Sequence, residues 1–141
     1  MTKLLINKTF NNSWWFTILI GVSIYLLFRD QDLVYNSIIT FETPVNKKTL
    51  EFINKEMPLL IYSLPTGLWS MSFSQLIFSI RRDFTKKTIL LSYSIFFLGF
   101  LWEFLQLNKL LVGTFDFYDI FFNLFFCTFS FIINYLTCLL Y

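Results

Sequence analysis

The stretch that decides the fold of this chain is residues 102–123, WEFLQLNKLLVGTFDFYDIFFN, where two long apolar segments meet. The facing ends of these segments carry five polar side chains: Glu103, Gln106, Asp116, Asp119 and Asn123. Carboxylates are costly to place in or near hydrocarbon, and in membrane proteins they commonly mark functional sites. These five residues are therefore the candidate polar site of the protein.

The composition indicates a membrane protein. Of the 141 residues, 56% are hydrophobic and only 14% are charged, whereas soluble domains usually have about 25% charged residues. The 20 phenylalanines would give a soluble fold of this size large exposed apolar patches, but in a bilayer they can face acyl chains. The length predicts a single membrane domain, residues 1–141, with no separate soluble module.

Net charge and the rarer residue types exclude several functions. The formal net charge of +2 is too balanced for a nucleic-acid-binding surface. The chain has no histidine, which is the commonest metal ligand and neutral-pH acid/base, and we predict neither a metal site nor a cofactor. Cys127 and Cys138 would lie roughly 16 Å apart along one helix, too far for a disulfide, and we expect both to be buried.

Hydropathy predicts an all-α integral membrane protein with four transmembrane helices, at about residues 13–28, 64–80, 88–107 and 117–141. Trp14 and Trp15 would anchor the start of the first span at the membrane interface. A cleaved signal peptide is the competing interpretation of this span. No A-x-A-like cleavage site follows it, which favours an uncleaved signal anchor.

A long outer loop, residues 29–63, connects the first two predicted spans. Asn46 can cap a short helix on which Leu50, Ile53 and Met57 share one face. An interfacial helix and an irregular loop both fit these residues, because a helix this short is marginal by itself. Pro65 suits the first turn of the span that follows, and the serines of that span favour packing between helices.

The distribution of basic residues predicts the orientation of the spans. A short loop between the second and third spans carries Arg81, Arg82, Lys86 and Lys87 with a single acid, Asp83. In the long outer loop, by contrast, acidic residues dilute the basic ones. We therefore place both termini and residues 81–87 in the cytoplasm, the protein in the cell (inner) membrane, and the polar site toward the outer face.

Polar residues follow one face of each of the last two predicted spans. On the third span this face carries Ser92, Gly99, Glu103 and Gln106. On the fourth it carries Asp116, Asp119, Asn123, Cys127, Ser130, Asn134 and Cys138. An antiparallel pair of helices joined by a short turn would bring Glu103 and Gln106 opposite Asp119 and Asn123.

Structural roles are an alternative explanation for these polar residues. Asp116 and Asp119 could cap the last helix, where negative charge meets the positive end of the helix dipole. Gln106 and Asn134 could form hydrogen bonds between packed helices. The case for a functional site depends on the cluster, because two carboxylates on facing stripes suggest a shared proton, a bound cation or a ligand group.

The cluster resembles the motif of the VanZ-like family of small bacterial membrane proteins. In that family a Glu-x-x-Gln near the end of one span is followed by Asp-x-x-Asp-x-x-x-Asn entering the next. The matching residues here are Glu103, Gln106, Asp116, Asp119 and Asn123. The chain has Gly113 where the family commonly has an arginine in the turn, and Phe126 where a glycine is common. The resemblance implies an envelope protein, the founding member being tied to glycopeptide antibiotic resistance, and it implies no settled reaction.

We therefore expect a small multi-pass envelope protein with an outward-facing Glu/Gln/Asp/Asn pocket for a lipid-linked or cell-wall-related ligand. Three other functions remain open at this stage. The chain could be an enzyme that uses Glu103 and Asp119 as an acid/base pair, although it has no nucleophile motif. It could be an oligomeric transporter or ion pathway, or a structural subunit of a larger assembly. The oligomeric state also remains open.

Overall fold

The computed structural model describes residues 13–28 and 46–139, and within these ranges the chain is helical with no β-strand. The helices are α1 (Trp14–Phe28), α2 (Lys47–Glu56), α3 (Pro58–Tyr62), α4 (Leu64–Arg81), α5 (Lys86–Leu107) and α6 (Phe117–Leu139). The all-helical class predicted from the sequence is confirmed. Two of these helices, α5 and α6, are long and apolar enough to cross a membrane, and α1 is a shorter apolar helix.

The distribution of buried residues is the reverse of that in a soluble domain. The buried polar and charged residues are Ser63, Ser70, Ser72, Ser74, Gln75, Thr88, Ser92, Glu103, Asn123, Ser130 and Asn134. Large apolar side chains such as Phe97, Phe121 and Phe125 are exposed. In the most apolar 18-residue segments of α5 and α6, only 17% and 22% of the residues are buried. Neither helix is therefore the buried core helix of a soluble protein.

Helix α4 is the centre of the bundle, and it packs against α1, α5 and α6. Among the described side chains it also has more buried polar ones than any other helix, including Ser72, Ser74 and Gln75. The Ser74 and Ser92 hydroxyls form a hydrogen bond of 2.5 Å between α4 and α5. The Ser72 hydroxyl donates to the backbone carbonyl of Trp14 at the start of α1. Small hydroxyl residues thus join the helices, as the spacing of the serines predicted.

Most of the described segment before α4 is helical. The Asn46 side chain accepts a hydrogen bond of 3.2 Å from the Lys48 backbone N–H and caps α2, so the structure shows the helix of the two alternatives, and its place at a membrane interface stays a prediction. A further short helix, α3, precedes a turn at Ser63. Helix α4 then begins at Leu64 with Pro65 in its first turn, where a missing N–H has no cost. Residues 1–12, 29–45 and 140–141 lie outside the described part of the chain.

Candidate functional site

The turn between α5 and α6 has a shape that depends on Gly113. Its φ of +132° lies in a region that residues with a Cβ rarely adopt. A Cβ at Gly113 would also lie 2.1 Å from the Gln106 Nε2 atom. The backbone of this turn therefore favours glycine at position 113, and a side chain there would also require the Gln106 amide to move.

Glu103 connects this turn to α5 through a hydrogen bond. Its side chain is only 7% exposed, and its Oε2 atom accepts a hydrogen bond of 3.0 Å from the backbone N–H of Asp116. The N–H groups at the start of a helix have no partner within the helix, so a carboxylate there is stabilising. Glu103 therefore holds the beginning of α6 against the end of α5.

Gln106 and Asp116 have local structural roles. The Gln106 Nε2 atom donates to the Val112 carbonyl at 3.3 Å and braces the turn. The Asp116 Oδ1 atom accepts a hydrogen bond of 2.8 Å from the Tyr118 backbone N–H, which caps α6. Capping, the structural alternative considered for Asp116, is what the structure shows.

Asn123 lies deeper in the bundle and packs on Gly99. It is 2% exposed, and its Nδ2 atom donates to the Phe96 carbonyl of α5 at 3.4 Å. A Cβ at Gly99 would lie 1.8 Å from that Nδ2 atom, so only glycine leaves room for the amide. Gly99 precedes Gln106 by seven residues, about 10 Å along the helix axis. Asn123 therefore lies deeper in the bundle than Gln106, whose amide donates to the Val112 carbonyl instead.

The Asn123 amide has an unused hydrogen-bond acceptor. The Phe96 carbonyl needs the amide nitrogen on its side, and this places Oδ1 on the other side. That oxygen is buried and finds no hydrogen-bond partner among the described residues. Leaving such an acceptor unsatisfied costs about 1–3 kcal/mol, so a group that donates to it would stabilise the bundle.

The register between α5 and α6 brings the level of Glu103 to that of Asp119. Asn123 meets Gly99, and the two helices run in opposite directions from their shared turn. Asp119 is one helical turn from Asn123 toward the connecting turn, and Glu103 is one turn from Gly99 in the same direction. Asp119 is half-buried and lies in the first turn of α6. Of the five predicted site residues, the register thus brings Glu103, Asp119 and Asn123 to neighbouring levels of the bundle, whereas Gln106 and Asp116 make local contacts at the turn.

The polar face of α6 continues below this site into the interior of the bundle. Cys127, Ser130 and Asn134 are buried as the stripe predicted, and the Cys127 Sγ atom donates to the Ser92 carbonyl at 3.5 Å. The predicted burial of Cys138 falls on a side chain outside the described part. What the sequence reasoning missed is that α4 completes this layer. The serines of α4 predicted packing between helices but not their partners in this layer, such as Ser92.

Among the residues that the structure describes, no three His, Cys, Asp or Glu side chains are close enough to hold a metal ion together.

The chain was compared with models of protein families, with curated proteins and with solved structures, and none of them matches. Fold and site together define a class: an all-helical bundle with two helices apolar enough to cross a membrane and an acidic and amide cluster at one end.

Proposed function

We propose that this chain is a four-span membrane protein of the bacterial cell envelope, similar to VanZ-like proteins. The reversed distribution of side chains supports insertion into a bilayer, because exposed phenylalanines and buried serines suit hydrocarbon and not water. The other two proposed spans are α1 and α4. Helix α4 is less apolar than α5 and α6, and its central position shields its polar side chains from lipid.

The proposed role of the cluster is to bind a ligand at the outer face of the membrane. The observation that carries this proposal is the buried Oδ1 atom of Asn123, which has no partner within the described residues. The carboxylates of Glu103 and Asp119 lie about one helical turn away toward the connecting turn, and in this proposal they act as acceptors together with the Asn123 oxygen. Such a set favours a ligand with hydroxyl, amide or ammonium donors, which the head group of a lipid-linked or cell-wall-related molecule supplies.

The test of this function is lipid and cell-wall precursor profiling of a deletion strain. Wild-type protein should restore the normal profile, whereas Glu103→Gln combined with Asp119→Asn should not, although both proteins reach the membrane in equal amounts on a blot. These amides keep the size of the side chains and remove their charge. Asp83→Asn is the matched control, because it neutralises an acid at the opposite end of the bundle. Full restoration by the amide pair would overturn the proposal.

Orientation is tested separately by labelling single cysteines in a chain that has alanine at positions 127 and 138. Cysteines at Asn46 and Asn108 should react with an impermeant reagent added to intact cells, and a cysteine at Thr85 should react only after the cells are opened. The reverse pattern would place the acidic cluster in the cytoplasm and contradict the proposed outer ligand.

A further inference from the structure

Backbone, side-chain and ring contacts attach the loop of residues 81–87 to the neighbouring helices. Helix α4 ends at Arg81, and the next residue, Arg82, has a left-handed backbone with φ of 53° and donates its N–H to the Phe78 carbonyl at 2.9 Å. Phe84 then turns inward, with its ring centroid 4.9 Å from that of Phe78 and 5.5 Å from that of Phe131. These ring contacts fasten the loop to both α4 and α6.

The single acid of the loop is occupied by internal hydrogen bonds. Asp83 Oδ1 accepts from the Thr88 hydroxyl, and from the Thr85 hydroxyl at 3.1 Å. The hydrogen bond from Thr88 is the main reason that the pKa of Asp83 is lowered, so this carboxylate remains charged at neutral pH. Arg81 Nε donates to the same Thr88 hydroxyl at 3.5 Å. The acid thus organises the loop from within.

The cations of the loop remain at its surface. Arg81, Arg82, Lys86 and Lys87 are all exposed, and four positive charges less that of Asp83 give the loop a net charge of +3. Lys86 and Lys87 occupy the first turn of α5, where no acidic residue is present. Positive charge there opposes the helix dipole, so these lysines do not serve the stability of the helix.

Large apolar side chains flank these cations on both helices. Ile80, the penultimate residue of α4, is 70% exposed, and Leu90, one turn after Lys86 on α5, is 69% exposed. A phospholipid offers the matching pair of features, because its phosphate is anionic and its acyl chains are apolar. A soluble phosphate compound would contact only the cations, whereas a phospholipid in the adjacent leaflet can contact the cations and both apolar side chains at once.

We propose that residues 81–87 form a binding surface for the phosphate of anionic phospholipids in the adjacent leaflet, with the acyl chains along Ile80 and Leu90. This surface rests on the membrane insertion proposed above, but it is independent of the acidic cluster at the other end. It binds the lipid of the bilayer and not a soluble phosphate compound.

The experiment measures lipid binding to the full chain in mild detergent by native mass spectrometry. Wild-type protein should prefer phosphatidylglycerol over phosphatidylcholine by on the order of tenfold or more. The triple variant Arg82→Gln, Lys86→Gln, Lys87→Gln should lose this preference. The control is Lys48→Gln, Lys55→Gln, Lys109→Gln, which removes the same charge from exposed positions outside the loop and should keep it. Equal preference in the two triple variants would overturn the inference.

Further measurements distinguish lipid binding from binding of a soluble phosphate and from a protein that is not inserted in the membrane. Displacement of phosphatidylglycerol by a millimolar excess of inorganic phosphate would assign the loop to soluble phosphates and overturn the lipid assignment. Extraction of wild-type protein from membranes by alkaline carbonate would overturn insertion, and with it both proposals. The pair Glu103→Gln, Asp119→Asn should retain the lipid preference, so a failed ligand site and a failed lipid surface give different results.

Discussion

Two glycines on neighbouring helices each pack against a side chain of α6. One of these side chains is apolar and the other is polar. Gly67 of α4 accommodates the ring of Phe126, because a Cβ there would lie 2.4 Å from the Phe126 Cδ2 atom. Gly99 of α5 accommodates the amide of Asn123, which precedes Phe126 by three residues. Both contacts are close approaches of helices, and glycine is the residue that permits them.

The two contacts differ in whether a polar atom is left without a hydrogen-bond partner, and this distinguishes packing from a candidate site. A phenylalanine ring in a glycine notch needs only van der Waals contact. An amide in such a notch must also satisfy an oxygen, and the Asn123 Oδ1 atom has no partner in the described part of the protein. We infer that the Gly67 contact holds the bundle together, whereas the Gly99 contact positions Asn123 for a ligand.

The largest loss of stability is expected for Gly67→Ala. The new Cβ would press on the Phe126 ring and on the Phe122 carbonyl oxygen, 3.1 Å away, and overpacking of this kind costs about 1–3 kcal/mol. The measurement is the free energy of unfolding by sodium dodecyl sulfate in mixed micelles. Adding Phe126→Ala should recover part of the loss. If the double variant is no more stable than the sum of the single changes predicts, Phe126 does not fill this notch.

Gly99→Ala should cost less, about 1 kcal/mol, because the atom that its Cβ meets is the movable end of a side chain. Gly99→Ala should nevertheless fail to restore the precursor profile of the deletion strain, since Asn123 must leave its position.

Asn123→Ala removes the unsatisfied oxygen, so its unfolding free energy should stay within about 1 kcal/mol of wild type while function is lost. A strongly destabilised Asn123→Ala protein with intact function would instead make Asn123 a packing residue.

The hydrogen bond between Ser74 and Ser92 provides a polar contact whose partners are satisfied. A double-mutant cycle with Ser74→Ala and Ser92→Ala should give a coupling energy of about 0.6 kcal/mol, the usual size for such bonds between membrane helices. Neither change should affect the precursor profile. Loss of function in either variant at normal membrane abundance would extend the candidate site into the α4 layer.

The smallest effect is expected at Asp83, outside the bundle interior. Its pKa is lowered, chiefly by the Thr88 hydrogen bond, so its stabilising contribution is present above the ordinary value of 3.8 and is lost as the pH falls further. Thermal unfolding followed by circular dichroism should show Asp83→Asn less stable than wild type at pH 6, with the two melting temperatures converging below pH 4. A constant difference across this range would show that the charge of Asp83 does not contribute.

Much of the architecture was predictable from helical periodicity. The polar stripe on α6 predicted that Asn123, Cys127 and Ser130 would be buried, and they are. The cap at Asn46 and the start of α4 beside Pro65 followed from local hydrogen-bonding and backbone preferences. Such features depend on residues within a few positions of one another, and a single sequence contains that information.

The partners of the polar residues were decided by the tertiary structure. The spacing of polar residues in the sequence indicates which face of a helix is polar. Which residues of two helices come into contact along their axes depends on where the side chains allow a close approach. Gly99 leaves room for Asn123 at one depth of the bundle, and the turn that contains Gly113 brings the Asp116 N–H within hydrogen-bond distance of Glu103. The sequence by itself therefore determined the helices and their polar faces. Packing and the turn backbone decided that Glu103 holds the turn and that Asn123 keeps an unsatisfied oxygen.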